Sequence, residues 1–193
     1  MDKYILASQS PRRRELLHKV LHEYEVIPAR GEEIVRSTDP EEVVQELSMQ
    51  KAVEVAKQVR PCAGDRMIVI GADTVVAVDR EILGKPVDRE EAKHMISLLQ
   101  GREHHVYTGV SVCWTEGEQM DSFSFCEETA VDVFPMNKGE IEGYISLPEP
   151  YDKAGAYGIQ GRGAILVERI EGDYNNVVGL PAARLYRKLD QLR

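Results

Sequence analysis

Residues 67–86 read MIVIGADTVVAVDREILGKP. Met67 to Ile70 is a short apolar run and reads as a buried strand. It enters GADTVVAVD. Asp79-Arg80 then has the form of a tight turn into Glu81 to Leu83, so the segment predicts a hairpin. In Gly84-Lys85-Pro86, proline stiffens the chain and glycine permits a tight turn, which would hold Lys85 in place.

Upstream, Tyr4 to Ala7 is a strand candidate. Ser10-Pro11 reads as N-cap and first helical position of a helix to about His18. Tyr24 to Pro28 predicts a second strand. Thr38-Asp39-Pro40 opens a long helix with Val43, Val44, Leu47, Ala52, Val55 and Ala56 at helical spacing. Downstream, Asp88 with Glu91 forms a capping box for a helix ending before Gly101. His105 to Thr115 and Cys126 to Phe134 predict two long strands joined around Glu116 to Gln119. Asn137 with Glu140 marks another helix start. Ala164 to Ile170 reads as a strand, and Leu180-Pro181 opens a terminal helix. Interleaved strands and helices with one antiparallel stretch indicate an α/β fold, a mixed sheet with helices on its faces.

The chain has 193 residues, enough for one large domain or two small lobes. Its net charge of -9 argues against a nucleic-acid coat or an anionic-membrane binder. A local patch of Arg and Lys can still hold the phosphates of a nucleotide. Cys62, Cys113 and Cys126 are odd in number and no CxxC occurs, so reduced thiols in a cytosolic protein are expected. The first residues, MDKYILASQSPRRR, lack the apolar core of a signal peptide. No window approaches the roughly 18 apolar residues of a membrane span. A cytoplasmic protein is the expectation.

Several groups carry chemistry. DKAGAYGIQGRG, residues 152–163, sets Gly155, Gly158, Gly161 and Gly163 among Asp152, Lys153 and Gln160. It makes a poor helix or strand and a good loop whose backbone can approach a ligand. Arg12, Arg13 and Arg14 fall in the first turn of the first helix, where cations oppose the helix dipole. An anion docked there would resolve the conflict, with hydroxyl donors from Ser8 and Ser10. Asp73, just past the strand, is placed for a metal ligand or general base, and Thr74 adds a hydroxyl. Lys85 suits a phosphate as a point charge. Glu32 and Glu33 form a carboxylate pair that alone reads as exposed loop acids. There is no P-loop, no GxGxxG after a strand, no HExxH and no nucleophile elbow. His104-His105 would point to opposite faces of a strand, a poor metal site and half-buried structure.

Six segments stand in one order across nearly the whole chain: LASQSPRRRELL (6–17), VIGADTVV (69–76), LGKP (83–86), TAVDVF (129–134), EPYDKAGAYGIQGRGA (149–164) and GDYNNVVGLP (172–181). Together they resemble the Maf family of nucleoside triphosphate pyrophosphatases. The resemblance implies a single Maf/ITPase-like domain over 1–193, α/β, with an elongated mixed β-sheet, flanking helices and two lobes around a central cleft. It implies a nucleoside triphosphate and a divalent cation in that cleft, usually in a homodimer. The implied reaction cleaves the α–β phosphoanhydride to a monophosphate and pyrophosphate. Arg12, Thr74 and Gln160 match the branch acting on dTTP and UTP. The branch acting on 7-methyl-GTP favours Trp, Gln and Glu there. The family often has Asp-Glu where this chain has Glu32-Glu33.

On that basis Arg12, Arg13 and Lys85 form the expected phosphate clamp, with Ser8 beside it and Lys153 as a fourth cation. Asp73 is a general base or a ligand of Mg²⁺ or Mn²⁺, and Glu33 a second ligand. Thr74 and Gln160 would read the pyrimidine edge, a carboxamide both donating and accepting. Two rivals stay open. One is a non-catalytic nucleotide-binding regulator of septum formation. The other is a phosphatase, separated by its product.

Overall fold

The computed structural model describes residues 1–59, 65–116 and 119–192. Cys62 and the tip of the expected connection at Glu116 to Gln119 lie outside them. Among the described residues seven strands form one sheet: β1 (Asp2–Leu6), β2 (Glu25–Val26), β3 (Arg66–Val78), β4 (Glu81–Leu83), β5 (Glu103–Glu116), β6 (Gln119–Val133) and β7 (Val167–Glu171). Their order is β2-β1-β3-β5-β6-β7, with β4 paired to β3. β1 runs parallel to both β2 and β3. β4 is antiparallel to β3, and β7 is antiparallel to β6. The sheet is therefore mixed, as the interleaved pattern predicts.

Among the described residues six α-helices flank it: α1 (Pro11–His18), α2 (Pro40–Gln58), α3 (Arg89–Leu99), α4 (Lys138–Ile145), α5 (Tyr174–Val178) and α6 (Ala182–Asp190). Their starts follow side-chain chemistry. Ser10 caps α1 through the Arg13 N–H, and Asp39 caps α2 through the N–H groups of Glu41 and Glu42. Asn137 and Glu140 form a full capping box on α4. On α3 the expected box is incomplete. Asp88 accepts the Glu91 N–H, but the Glu91 carboxylate accepts from Val87, one residue before the cap.

Several boundaries differ from the sequence reading: β6 starts at Gln119 and not Cys126, β5 at Glu103 and not His105, β1 at Asp2 and not Tyr4, and β2 is only Glu25–Val26. β3 does not stop at Ile70 but continues to Val78, so Asp73 lies inside the strand and not past it. The valine-rich run Val75–Val78 carries the pairing on, and its partner is β4. The strand expected from Ala164 begins at Val167, because Gly161–Ile165 coils into a 3₁₀ turn. α5 was not foreseen; Asp173 starts it by accepting the Asn175 N–H at 2.8 Å.

The chain divides into two compact units, and the division falls within β3 between Asp73 and Thr74. The first comprises 1–73, 108–127 and 179–193. Its core includes Ile5, Ala52, Val55, Val69 and Cys113. All six α2 residues expected inside are buried there. α2 lies directly on the strands: a Cβ at Gly71 would stand 2.2 Å from the Ser48 carbonyl oxygen, and one at Gly109 2.2 Å from that of Val44. Burial pushes the Cys113 thiol up to about 11, so it stays protonated.

The second unit comprises 74–107 and 128–178. α3 and α4 supply Met95, Ile96, Leu99, Ile141 and Ile145 to its core, against Val76, Val131 and Tyr157. His104 is buried and pairs with the Tyr157 hydroxyl at 2.6 Å. His105 is half-exposed, so the adjacent histidines do face opposite ways.

Candidate active site

In the first unit, β1 delivers the chain to Ser8, and α1 begins at Pro11. The buried Ser8 hydroxyl oxygen accepts the Ser10 N–H at 3.2 Å and an Arg13 Nη1–H at 3.4 Å. Arg13 Nε donates to the Gly179 carbonyl oxygen at 2.8 Å. Burial lowers the Arg13 pKa; the nearby Asp73 carboxylate opposes the shift, Arg12 adds to it, and Glu33 opposes it. A guanidinium remains charged regardless. Arg13 is thus a fixed, partly desolvated cation with Arg12 at its side. Arg14 is exposed, and its carbonyl is taken by the Tyr24 hydroxyl.

Lys51, on α2, joins the carboxylates. Its ammonium bonds Asp73 Oδ1 and lies 2.9 Å from Glu33 Oε1. Glu33 sits on a segment without regular structure that is laced along α2. Glu54 accepts the N–H groups of Arg30 and Gly31, Gln50 pairs with both the N–H and the carbonyl of Ile34, and Glu46 accepts the Arg36 N–H. Residues 46, 50 and 54 are spaced to share one helix face. One helix therefore supplies both the cation between the acids and the supports of the segment that carries Glu33.

In the second unit, Lys85 is exposed. A Cβ at Gly84 would meet open space, so no tight turn demands glycine there. The segment is held instead by the Gly84 carbonyl, which accepts the Gly155 N–H at 3.0 Å. That bond ties Lys85 to the glycine-rich loop. The loop is three short 3₁₀ turns, and its glycines serve its own close packing. A Cβ at Gly163 would stand 2.0 Å from the Gly158 carbonyl oxygen. Lys153 donates to the Glu149 carbonyl at 2.7 Å and to Asp152 Oδ1 at 2.6 Å. Two of its three N–H groups thus brace its own loop. Gln160 is half-buried. Thr74 follows Asp73 in β3, and strand alternation turns it to the opposite face.

The family model for Maf-like protein matches residues 3–192. The chain belongs to the Maf family. A dTTP/UTP pyrophosphatase of Carboxydothermus hydrogenoformans is 52% identical to it over 187 residues, covering 97% of each chain. A dTTP/UTP pyrophosphatase of Agathobacter rectalis is 49% identical over 201 residues, covering 100% of this chain and 98% of that one. A third, from Bacillus velezensis, is 49% identical over 190 residues, covering 98% and 96%.

In this Maf protein Ser8, Arg12, Arg13, Glu33 and Asp73 gather in the first unit, and Lys85, Lys153 and Gln160 are linked in the second. Asp73 and Glu33 already converge on one cation, the Lys51 ammonium. Their hard oxygens fit Mg²⁺ or Mn²⁺. Among the described residues no group of three or more His, Cys, Asp or Glu is placed to hold a metal. Two carboxylates are nonetheless a sufficient protein share for Mg²⁺, which commonly takes phosphate oxygens and water besides. Lys51 itself was missed by the sequence reading. Its signal was a lysine between Ser48 and Val55 on the face of α2 that otherwise buries. Among the described residues no helix is long and apolar enough to cross a membrane.

Proposed function

We propose that this chain hydrolyses dTTP and UTP to the nucleoside monophosphate and pyrophosphate. The observation that carries the reading is its identity of about half, over nearly full length, to relatives named dTTP/UTP pyrophosphatase. The residues supply chemistry suited to it. Water attacks the α-phosphorus in line, the α–β bridging bond breaks, and pyrophosphate leaves. Arg12, Arg13 and Lys85 neutralise phosphate charge, and Ser8 orients Arg13. Lys153 contributes its remaining N–H. Asp73 takes the proton of the attacking water or, with Glu33, holds Mg²⁺ or Mn²⁺. A bound divalent ion would neutralise phosphate oxygens and acidify water. Lys51 holds the two acids at a fixed separation. Gln160 donates to O4 and accepts from N3–H of thymine or uracil, and the Thr74 hydroxyl serves the base end. The same reading includes a cytoplasmic enzyme acting as a homodimer, with no nucleic-acid or membrane partner.

Release of pyrophosphate from dTTP, followed with Mg²⁺ in parent and Asp73→Asn, tests the reading. The parent should turn over. The variant should bind dTTP yet lose about two or more orders of magnitude in kcat. A parent that binds dTTP and releases no pyrophosphate is a nucleotide-binding regulator and not this enzyme. Near-parental turnover in the variant removes Asp73 from the chemistry.

A further inference from the structure

Glu149 stands at the start of the glycine-rich loop, in a 3₁₀ turn that follows α4. Its carboxylate faces back into the loop. Oε2 accepts the Arg162 N–H at 2.9 Å, and Oε1 accepts the Gly163 N–H at 2.8 Å. Oε1 also lies 3.4 Å from the Tyr144 hydroxyl, which donates to it. One carboxylate therefore holds the main-chain N–H groups of the second and third residues after Gln160.

The loop is shaped around this carboxylate. Gly161 has φ +63°, and a Cβ there would stand 2.6 Å from Glu149 Oε2. A Cβ at Gly163 would stand 2.9 Å from the Tyr144 hydroxyl oxygen. Both approaches are closer than side-chain carbons tolerate, so the glycines at 161 and 163 make room for the acid and its tyrosine. Burial raises the Tyr144 pKa and the Glu149 charge raises it further, so Tyr144 stays a donor. A carboxylate suits the position because two N–H groups and one O–H need three lone pairs and no donor. A carboxamide would turn an NH₂ toward one of the N–H groups.

We infer that Glu149 is a positioning residue for base choice: it fixes the loop that presents Gln160. The inference rests on the reading of Gln160 given above. It separates the base end from the phosphate end, because Lys153 is held by the main-chain carbonyl of Glu149, which every substitution retains.

The experiment measures kcat and KM for dTTP and dGTP in the parent, Gln160→Ala, Glu149→Gln, Tyr144→Phe and the Glu149→Gln/Gln160→Ala double variant. Each variant's fold is checked by circular dichroism. Glu149→Gln should lower the dTTP preference in kcat/KM by about tenfold or more, since charge-assisted bonds to the loop are lost. The effect should fall more on KM for dTTP than on kcat. In the Gln160→Ala background the same change should shift the preference no further. Tyr144→Phe should lower the preference in the same direction and less, and it carries the test if Glu149→Gln does not fold. If Gln160→Ala removes the preference while Glu149→Gln and Tyr144→Phe leave it at the parental value, the positioning role is overturned and the Gln160 reading stands. An equal loss on both substrates from fewer folded molecules also overturns it. If Gln160→Ala keeps the parental preference, the reading of Gln160 falls, and this inference falls with it.

Discussion

At the scale of residues, charge placement explains most of the candidate site. Arg12 and Arg13 lie in the first turn of α1, where no acidic residue offsets them. Cations at a helix N-terminus cost a few tenths of a kcal/mol each, about 0.3–1. Asp73 and Glu33 close to Arg13 reduce that conflict, and a bound phosphate would reduce it further. Lys85 is the simplest residue to test. It is exposed, so its removal should leave the fold intact. As a phosphate ligand, Lys85→Ala should lower kcat/KM on dTTP by about one to two orders of magnitude, and Lys85→Arg should restore little of it. A planar fork does not replace a compact ammonium. Steady-state kinetics on both variants decide the point. Parental rates in Lys85→Ala would make it a surface lysine.

At the scale of elements, caps and periodicity were legible in the sequence and tertiary commitments were not. Ser10-Pro11, Asp39-Pro40 and Asn137/Glu140 mark helix starts because capping is a local transaction between residues two or three apart. The β3–β4 hairpin with its Asp79-Arg80 turn was legible, but the unbroken run of β3 through Gly71 and Asp73 was not, since those residues interrupt its apolar pattern. Lys51 was overlooked because periodicity marks a face, not what that face meets. The role of Glu149 was equally hidden, because its partners are backbone N–H groups that leave no trace in side-chain patterns. Asp73, Lys85 and the glycine-rich loop could be picked out as candidates because they sit in short, distinctive segments.

One element-scale consequence is a pH dependence of stability. His104 of β5 is buried against Tyr157, and burial, aided by His105, lowers its pKa from 6.5 to about 4. The folded chain keeps His104 neutral while the unfolded chain protonates it below 6.5. Its contribution is therefore fully present above pH 6.5 and is lost as pH falls toward 4. The shift corresponds to about 3 kcal/mol across that window. Urea unfolding of the parent and His104→Gln at pH 7 and pH 4.5 checks this. The stability difference between the two proteins should be smaller at the lower pH. A difference independent of pH would show that His104 does not titrate there.

At the scale of the whole molecule, the substrate proposed for a chain of net charge -9 is itself a polyanion. Bulk charge governs solubility and non-specific attraction, whereas a few fixed cations govern a phosphate site. The acidic surface disfavours nucleic acid, and Arg12, Arg13, Lys51 and Lys85 supply local cations. The six segments and their order were readable directly from the sequence. Two lobes were expected from the length and from the family resemblance, but the limits of the two compact units were not, since contacts between distant segments set them. The most direct measurement offers the purified chain dTTP, UTP, dATP and dGTP with Mg²⁺ and identifies every product. The account predicts dTMP or UMP with one pyrophosphate per turnover, and slower turnover of both purine nucleotides. Release of single phosphate with a nucleoside diphosphate, or equal rates on purines and pyrimidines, would contradict it.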